Sequence, residues 1–403
     1  MRLIVLLLIP LLFLPLSGCW DQVELEKVGL VVLMGIDTDP LGDGFEVTIH
    51  LLSPGNSQEG AGGTNAPTVV LSGRGGTILD ATRNLRGRVP ALLSFHHVRI
   101  IVVGEDLARK GLAPVLDFLI RTPEIRLGSY MIIAQGSARD ILSIRPKVTT
   151  SLNQELEGLI LAQDQWSKGT APPVFEFVKD YLDGARQPVT ARVLTIDPRI
   201  PPDNLREPQG QNAEGPGQEG EHEEVVLLQG SAVFRDDRLV GWLTGTETMA
   251  YRLLTGERGE FLLVVPWRGA RVSLEISVTS SNLEYIRGSQ PPRFHHAVSL
   301  NARVMEYTGY TLFSAARLRQ LQNLAADSIS DLLRNGAERA KELDSDILGY
   351  GTAISHQDPT GWRGLKKDWR KTFPASQTEI DVIVHLVHTN MLRGPLPPEG
   401  TDD

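Results

Sequence analysis

Cysteine occurs once in the 403 residues, at Cys19, and its setting limits what that thiol can do. Arg2 gives a positive start, Leu3 to Leu16 give an uncharged apolar run broken by Pro10 and Pro15, and Leu16-Ser17-Gly18 put small residues directly before the cysteine. This order reads as a secretory signal peptide over residues 1–18. A helix that spans a bilayer needs roughly twenty apolar residues, so the run is too short to stay as an anchor. A second group with binding chemistry is Trp362, Arg363, Lys366, Lys367, Trp369, Arg370 and Lys371, where five cations face Asp368 alone. The two tryptophans are seven apart, which places them on one helical face. Basic residues beside interfacial tryptophans suit an anionic membrane surface or an acidic partner loop, whereas tryptophans packed in a core would leave only the cations outside.

Other candidates are weaker. Gly73-Arg74-Gly75-Gly76 before a helix could seat a phosphate on free N–H groups, but it lacks the Gly-Lys-Ser/Thr ending and the dinucleotide spacing, so it reads as a tight structural turn. His96-His97 has no cluster of Cys, Asp or Glu at metal spacing, and His385 and His388 fall on opposite faces of a strand. Neither Gly-x-Ser-x-Gly nor His-Glu-x-x-His occurs. No catalytic, metal or cofactor site is expected.

Leu16-Ser17-Gly18-Cys19 resembles the lipobox of bacterial lipoproteins. The resemblance implies that Cys19 receives a diacylglycerol and becomes the first residue of the mature chain. Two or more acyl chains hold a protein stably on a bilayer. An ordinary cleaved leader with a free cysteine, or an uncleaved apolar anchor, are the alternatives.

With no other cysteine, no disulfide can form within the chain, and stability must come from apolar cores. At 41% hydrophobic and 22% charged residues the composition is globular, and the length suggests two or three domains. The formal charge of -9 becomes -10 once residues 1–18, with Arg2, are removed. An acidic chain is a poor partner for nucleic acid, whose affinity comes from neutralising phosphates.

The elements that position these residues follow from periodicity. Val28 to Ile36 and Phe45 to Leu51 read as strands around an Asp/Pro/Gly turn, and Ser53 to Pro67 as a loop. Strands at Thr68–Ser72, Val98–Val103 and Tyr130–Ala134 alternate with helices at Thr77–Val89, Glu105–Gly111, Leu112–Arg121 and Ala138–Leu142, which implies an α/β layer. Two helical patterns follow at Ser151–Gln165 and Val174–Leu182, and Thr190–Ile196 closes this half. Pro198 to Glu224 is Pro/Gly-rich and carries two arginines against seven acids, so it reads as a disordered linker and a boundary. The second half opens with a hairpin at Val225–Leu243 and a helix at Thr244–Leu254. Three long strands follow, at Phe261–Trp267, Val272–Ile286 and Phe294–Tyr307, with antiparallel pairing implied. A long amphipathic helix starts at Ser314 with Asn335-Gly336 as its weak point, and a last strand spans Ile380–Val387. The expected class is α+β and multidomain, with a mixed α/β N-terminal part and a C-terminal antiparallel sheet packed by a long helix. The divisions are a 1–18 signal peptide, 19–197 with a split near 145, a 198–224 linker, a 225–394 domain and a 395–403 tail.

Several stretches, in order along nearly the whole chain, are similar to the Ger(x)C family, the C subunits of nutrient germinant receptors of spore-forming bacteria. They are the lipobox with Trp20-Asp21, Gly35-Ile36-Asp37, Gly104-Glu105, Leu116-Asp117-Phe118 through Arg126, Gly230–Phe234, Leu239–Leu243, and Asp346–Gly351 leading to Trp362, Trp369 and Phe373-Pro374. The resemblance implies a lipoprotein on the outer face of the inner spore membrane. It also implies three family-specific mixed α/β domains and a complex with two integral membrane subunits, A and B type, that are tied to nutrient recognition and ion movement. The long 198–224 segment and the glycine-rich Gly60–Asn65 loop strain the pattern. A substrate-binding lipoprotein of a transporter would instead show two similar parallel-sheet lobes.

Overall fold

The computed structural model describes residues 28–52, 68–199, 224–309 and 314–388. Cys19 and the rest of the expected leader lie outside the described residues, as do the Gly60–Asn65 loop, nearly all of the 198–224 segment and the 395–403 tail.

The first sheet grows from β1 (Val28–Thr38), β2 (Phe45–Leu52) and β3 (Thr68–Gly75), an antiparallel meander in which Met34 faces Ile49 and Ile49 faces Leu71. β3 continues through Gly73 and Gly75, so the expected tight turn shrinks to Gly76-Thr77 before α1 (Ile78–Leu85). A Cβ on Gly75 would sit 2.7 Å from the Asp80 carboxylate, and the Gly76 N–H donates to that same carboxylate at 3.0 Å. The protein's own acid therefore occupies the place where a phosphate would bind.

The chain then alternates. β4 (Leu92–Ser94) and β5 (Ile100–Val103) lead to α2 (Glu105–Lys110) and α3 (Ala113–Arg121). β6 (Tyr130–Ala134) leads to α4 (Ala138–Ser143), α5 (Leu152–Leu161), α6 (Gln163–Trp166) and α7 (Val174–Asp183), and β7 (Val189–Ile196) follows. Strands β1, β5, β6 and β7 pair in parallel, with helical crossovers on both faces. Period-two alternation divides the side chains: Ile101, Val103, Met131 and Ile133 pack with α1, α2, α3 and α7, while Ile100, Val102, Ile132 and Ala134 pack with α4 and α5. Each of these isoleucines, valines and Met131, fully buried, contributes roughly 1.5–3 kcal/mol.

β8 (Val225–Arg235) and β9 (Arg238–Leu243) form the expected hairpin, but it belongs to the first sheet. β8 pairs antiparallel with β7, Ile196 opposite Val225 and Val189 opposite Val233. The sheet runs β3-β2-β1-β5-β6-β7-β8-β9, with β4 beside β1, so it continues across the acidic segment. β8 is buried from Val226 to Phe234 because both of its faces are covered.

After α8 (Gly245–Thr255), opened by a Thr244/Glu247 capping box and stopped at left-handed Gly256, come β10 (Glu260–Trp267), β11 (Ala270–Ile286) and β12 (Arg293–Tyr307). These three are antiparallel, as expected. The 28-residue α9 (Ala315–Glu342) then crosses their buried face. The chain continues through α10 (Tyr350–Gln357), α11 (Pro359–Leu365) and α12 (Trp369–Thr372) to β13 (Gln377–His388). β13 joins β12 in parallel, since the helical crossover returns the chain to the end where β12 began. The second sheet is thus mixed rather than wholly antiparallel.

Helix α9 is unbroken at Asn335-Gly336, contrary to the weak point expected there. Gly336 lies where α9 meets α8, and a Cβ added to it would stand 2.5 Å from the Ala250 Cβ. Gly336→Ala is expected to destabilise by about 1–3 kcal/mol through overpacking, outweighing the roughly 1 kcal/mol that alanine gains in an open helix. Urea denaturation checks this: a midpoint at or above wild type would mean that the helices can separate freely.

Candidate functional site

Several stretches that carry the family resemblance meet at one buried polar joint in the C-terminal half. Asp346, in the turn after α9, is fully enclosed. Its Oδ1 accepts the Tyr350 N–H at 2.9 Å, and its Oδ2 accepts the Gly351 N–H at 2.7 Å and the Trp369 indole Nε1–H at 3.0 Å. Two of those donors are first-turn amides of α10, which no helical carbonyl can satisfy. Burial pushes the Asp346 carboxyl up to about 6, against the pull of the N–H donors.

Tyr350 stacks on Phe294 at 4.2 Å between ring centres, and its hydroxyl lies 3.0 Å from Thr378 Oγ1 and 3.3 Å from His296 Nε2. His296 is buried, and desolvation lowers its imidazole to about 4. Gly351 must be glycine, because a Cβ would approach the Ala185 carbonyl at 2.6 Å and the Trp362 ring at 2.8 Å. The joint also holds the two sheets together: the Gln187 N–H donates to the Asp346 carbonyl at 2.9 Å, and Arg186 Nε donates to the Ile347 carbonyl at 3.1 Å.

Trp362 and Trp369, named as candidate membrane or partner contacts beside the alternative of a place in the core, are both buried in this core and contact each other edge to face at 5.6 Å. The correction has a physical cause. An indole N–H needs an acceptor when buried, and Asp346 supplies one to Trp369, so that large ring gains more inside than at a surface, and Trp362 packs edge to face against it. The cations of the same stretch stay outside: Arg363, Lys366, Lys367, Arg370 and Lys371 are all exposed. They lie on α11, α12 and the turn between them rather than on one helix.

Sequence reasoning missed a second cluster, around Arg252 on α8. Arg252 is buried and donates to the carbonyls of Gln163 at 2.9 Å, Gly169 at 3.2 Å and Arg258 at 2.6 Å, and to Asp164 Oδ1 at 2.7 Å. Its Nε lies 3.2 Å from the Glu257 carboxylate. Beside it opens a cavity of about 660 Å³, lined among others by Thr170, Asp180, Arg186, Tyr251 and Glu257. Arg186 donates to the Tyr251 hydroxyl at 2.9 Å and sits 3.7 Å from Asp180. Burial raises the Glu257 carboxyl, while Arg252 and Arg186 pull it down. These charges are answered by one another, which suits a joint between α6, α7 and α8 more than a vacant binding site. The signal available in the sequence was an arginine on the otherwise uncharged stretch from Met249 to Leu254.

The remaining motif residues also act as joints. Asp37 caps α4, accepting the Ala138 N–H at 2.8 Å and the Arg139 N–H at 2.9 Å. Glu105 accepts the Gly136 N–H at 3.2 Å, and a Cβ on Gly241 would meet the Leu343 side chain at 2.5 Å. His96 and His97 are exposed on a turn, and no metal-ligating cluster exists among the described residues. No described helix is long and apolar enough to cross a membrane.

Comparison with known proteins agrees with this arrangement. Residues 21–194 match the family profile described as spore germination protein N-terminal domain, and residues 229–390 match spore germination B3/GerAC like, C-terminal. Spore germination protein KC of Bacillus subtilis is 23% identical, covering 99% of this chain and 98% of its own length. Spore germination protein B3 of the same organism is 22% identical over 94% and 95%. The crystal structure of the GerBC protein superposes with a TM-score of 0.55 at 18% identity, covering 88% of this chain and 96% of that one. The fold is therefore shared along both halves, and the chain belongs to the Ger(x)C family of spore germination proteins.

Proposed function

We propose that this chain is a lipid-anchored subunit of a nutrient germinant receptor, held on the outer face of the inner spore membrane by acylated Cys19. It acts there with two integral membrane subunits of A and B type, and its role is to scaffold rather than to catalyse. The observation that carries the reading is the match to spore germination proteins along nearly the full length, together with a lipobox-like Leu16–Cys19. The internal chemistry supports it, because the motif residues described above are spent on capping and packing. The two sheets differ in strand number and order, unlike the paired lobes of a transporter's binding lipoprotein. The test is to grow the sporulating host with a palmitate analogue bearing a clickable tag and purify the chain from the spore membrane. Label on Cys19 and co-purification of two multi-span proteins are expected. An unacylated chain recovered free of membrane would overturn the reading.

A further inference from the structure

We infer that the exposed basic knuckle at Arg363–Lys371 is a docking surface for an anionic lipid bilayer, which fixes how the tethered body faces the membrane. The inference deepens the lipid-anchor reading and rests on it for its geometry. Over nine residues the knuckle presents five exposed cations against one acid, on a chain whose overall charge is negative. Arg370 spends part of its charge on Asp344 at 3.5 Å, but Lys366, Lys367 and Lys371 make no ion pair among the described residues. The buried tryptophans serve this surface indirectly. Trp362 and Trp369 pack against each other, and the Trp369 indole is bonded to Asp346, so the two short helices are held with the intervening turn projecting its lysines outward.

Placement relative to the tether selects a membrane over other anionic partners. Asp344 also accepts from Arg235 at 3.0 Å, which puts the knuckle at the Arg235 end of β8. Register carries that position across the first sheet: Val233 pairs with Val189, and Ile100 pairs with both Tyr130 and Leu33. The parallel strands β1, β5, β6 and β7 all begin at this end, so β1 enters the sheet at Val28 on the same side as the knuckle. Four strand spacings separate β1 from β8, roughly 20 Å. The eight residues from Trp20 to Lys27 reach at most roughly 28 Å when extended. A bilayer holding Cys19 is therefore presented to the end of the molecule that carries the unspent lysines. An acidic body repelled elsewhere by anionic headgroups would settle with this end down. The tether supplies the effective concentration that a weak electrostatic contact needs.

The test uses residues 20–403, which keep every described residue and lack only the tether, so its outcome does not depend on acylation. Flotation with vesicles rich in phosphatidylglycerol should show binding that salt abolishes, with none on pure phosphatidylcholine. Lys366→Gln, Lys367→Gln and Lys371→Gln together should weaken it about a hundredfold, since each cation near such a surface is worth roughly a fivefold change. Because all three are exposed, the melting temperature should not move. Equal binding to both lipids, or unaltered binding by the triple variant, would overturn the inference. So would loss of the embedded subunits from the triple variant with vesicle binding intact, which would assign the face to an acidic protein. Failure here leaves Cys19 acylation standing, and absence of the acyl group leaves the vesicle result interpretable.

Discussion

Asp346→Ala should lower the free energy of unfolding by about 3–5 kcal/mol. The substitution leaves the Tyr350 and Gly351 amides and the Trp369 indole N–H buried without an acceptor, and each such donor costs about 1–3 kcal/mol. Part of the loss is offset because a costly buried carboxylate disappears. Asp346→Asn should fall between wild type and alanine. Its amide oxygen can serve one side of the site, but its NH₂ must then face a donor on the other. Equilibrium denaturation decides the matter, and a change below about 1 kcal/mol for alanine would show that water fills the joint at little cost.

The same substitution should show a pH dependence of predictable sign. Burial raises the Asp346 carboxyl from 3.8 to about 6, so the folded state holds a proton there that the unfolded chain has already released. This group's contribution is fully present below about pH 4 and is lost as pH rises through 6, a difference of about 3 kcal/mol. The penalty of Asp346→Ala must therefore grow on acidification. His296 works the other way. Its imidazole is lowered to about 4, so stability from this group is present above 6.5 and is lost as pH falls toward 4. Asp346 takes the Tyr350 amide and His296 lies against its hydroxyl, and the two offset one another across the same window, so a His296→Gln variant should lose less at acid pH than at neutral pH.

Much of this arrangement was legible because it is local. Alternating apolar residues in β11 and β12, the steps of three and four along α9, and the Thr244 and Gly256 ends of α8 are set by neighbours in sequence. Pairing partners are not. The acidic, proline-rich 198–224 segment suggested a boundary, yet β7 and β8 on either side of it are adjacent strands, since loop composition says nothing about the hydrogen bonds of its ends. Parallel entry of β13 depended on which end of the sheet α9 returns to, which no periodicity encodes. The seven-residue spacing of Trp362 and Trp369 did place them on a common side, but the Asp346 acceptor that takes the Trp369 indole N–H, with Trp362 packed against that ring, lies 16 residues before the first of them. Buried polar groups answer to partners distant in sequence. For the same reason Arg252 escaped notice, although its partners Gln163, Asp164 and Gly169 are what bind the two halves of the chain at that point.

Arg252→Met follows from that role and should cost about 3–5 kcal/mol, because removing one partner of a buried charged cluster strands the others. Methionine keeps the unbranched apolar stem of arginine, so the packing of that stem is largely retained and the loss falls mainly on the missing guanidinium. The carbonyls of Gly169 and Arg258 lose the Arg252 donor, that of Gln163 keeps only the Ser167 N–H, and Glu257 loses its nearest cation. Arg252→Lys should recover less than half of the loss. A single ammonium cannot span three carbonyls and two carboxylates that a planar guanidinium reaches through separate nitrogens. The damage should begin locally, in the 163–173 stretch that Arg252 ties to α8. The Ala171 amide, now bonded to Gln163 Oε1 at 2.8 Å, is the reporter. Faster hydrogen exchange there than in β5 or β12 is the expected pattern, whereas uniform acceleration would show that Arg252 supports the whole fold rather than this junction.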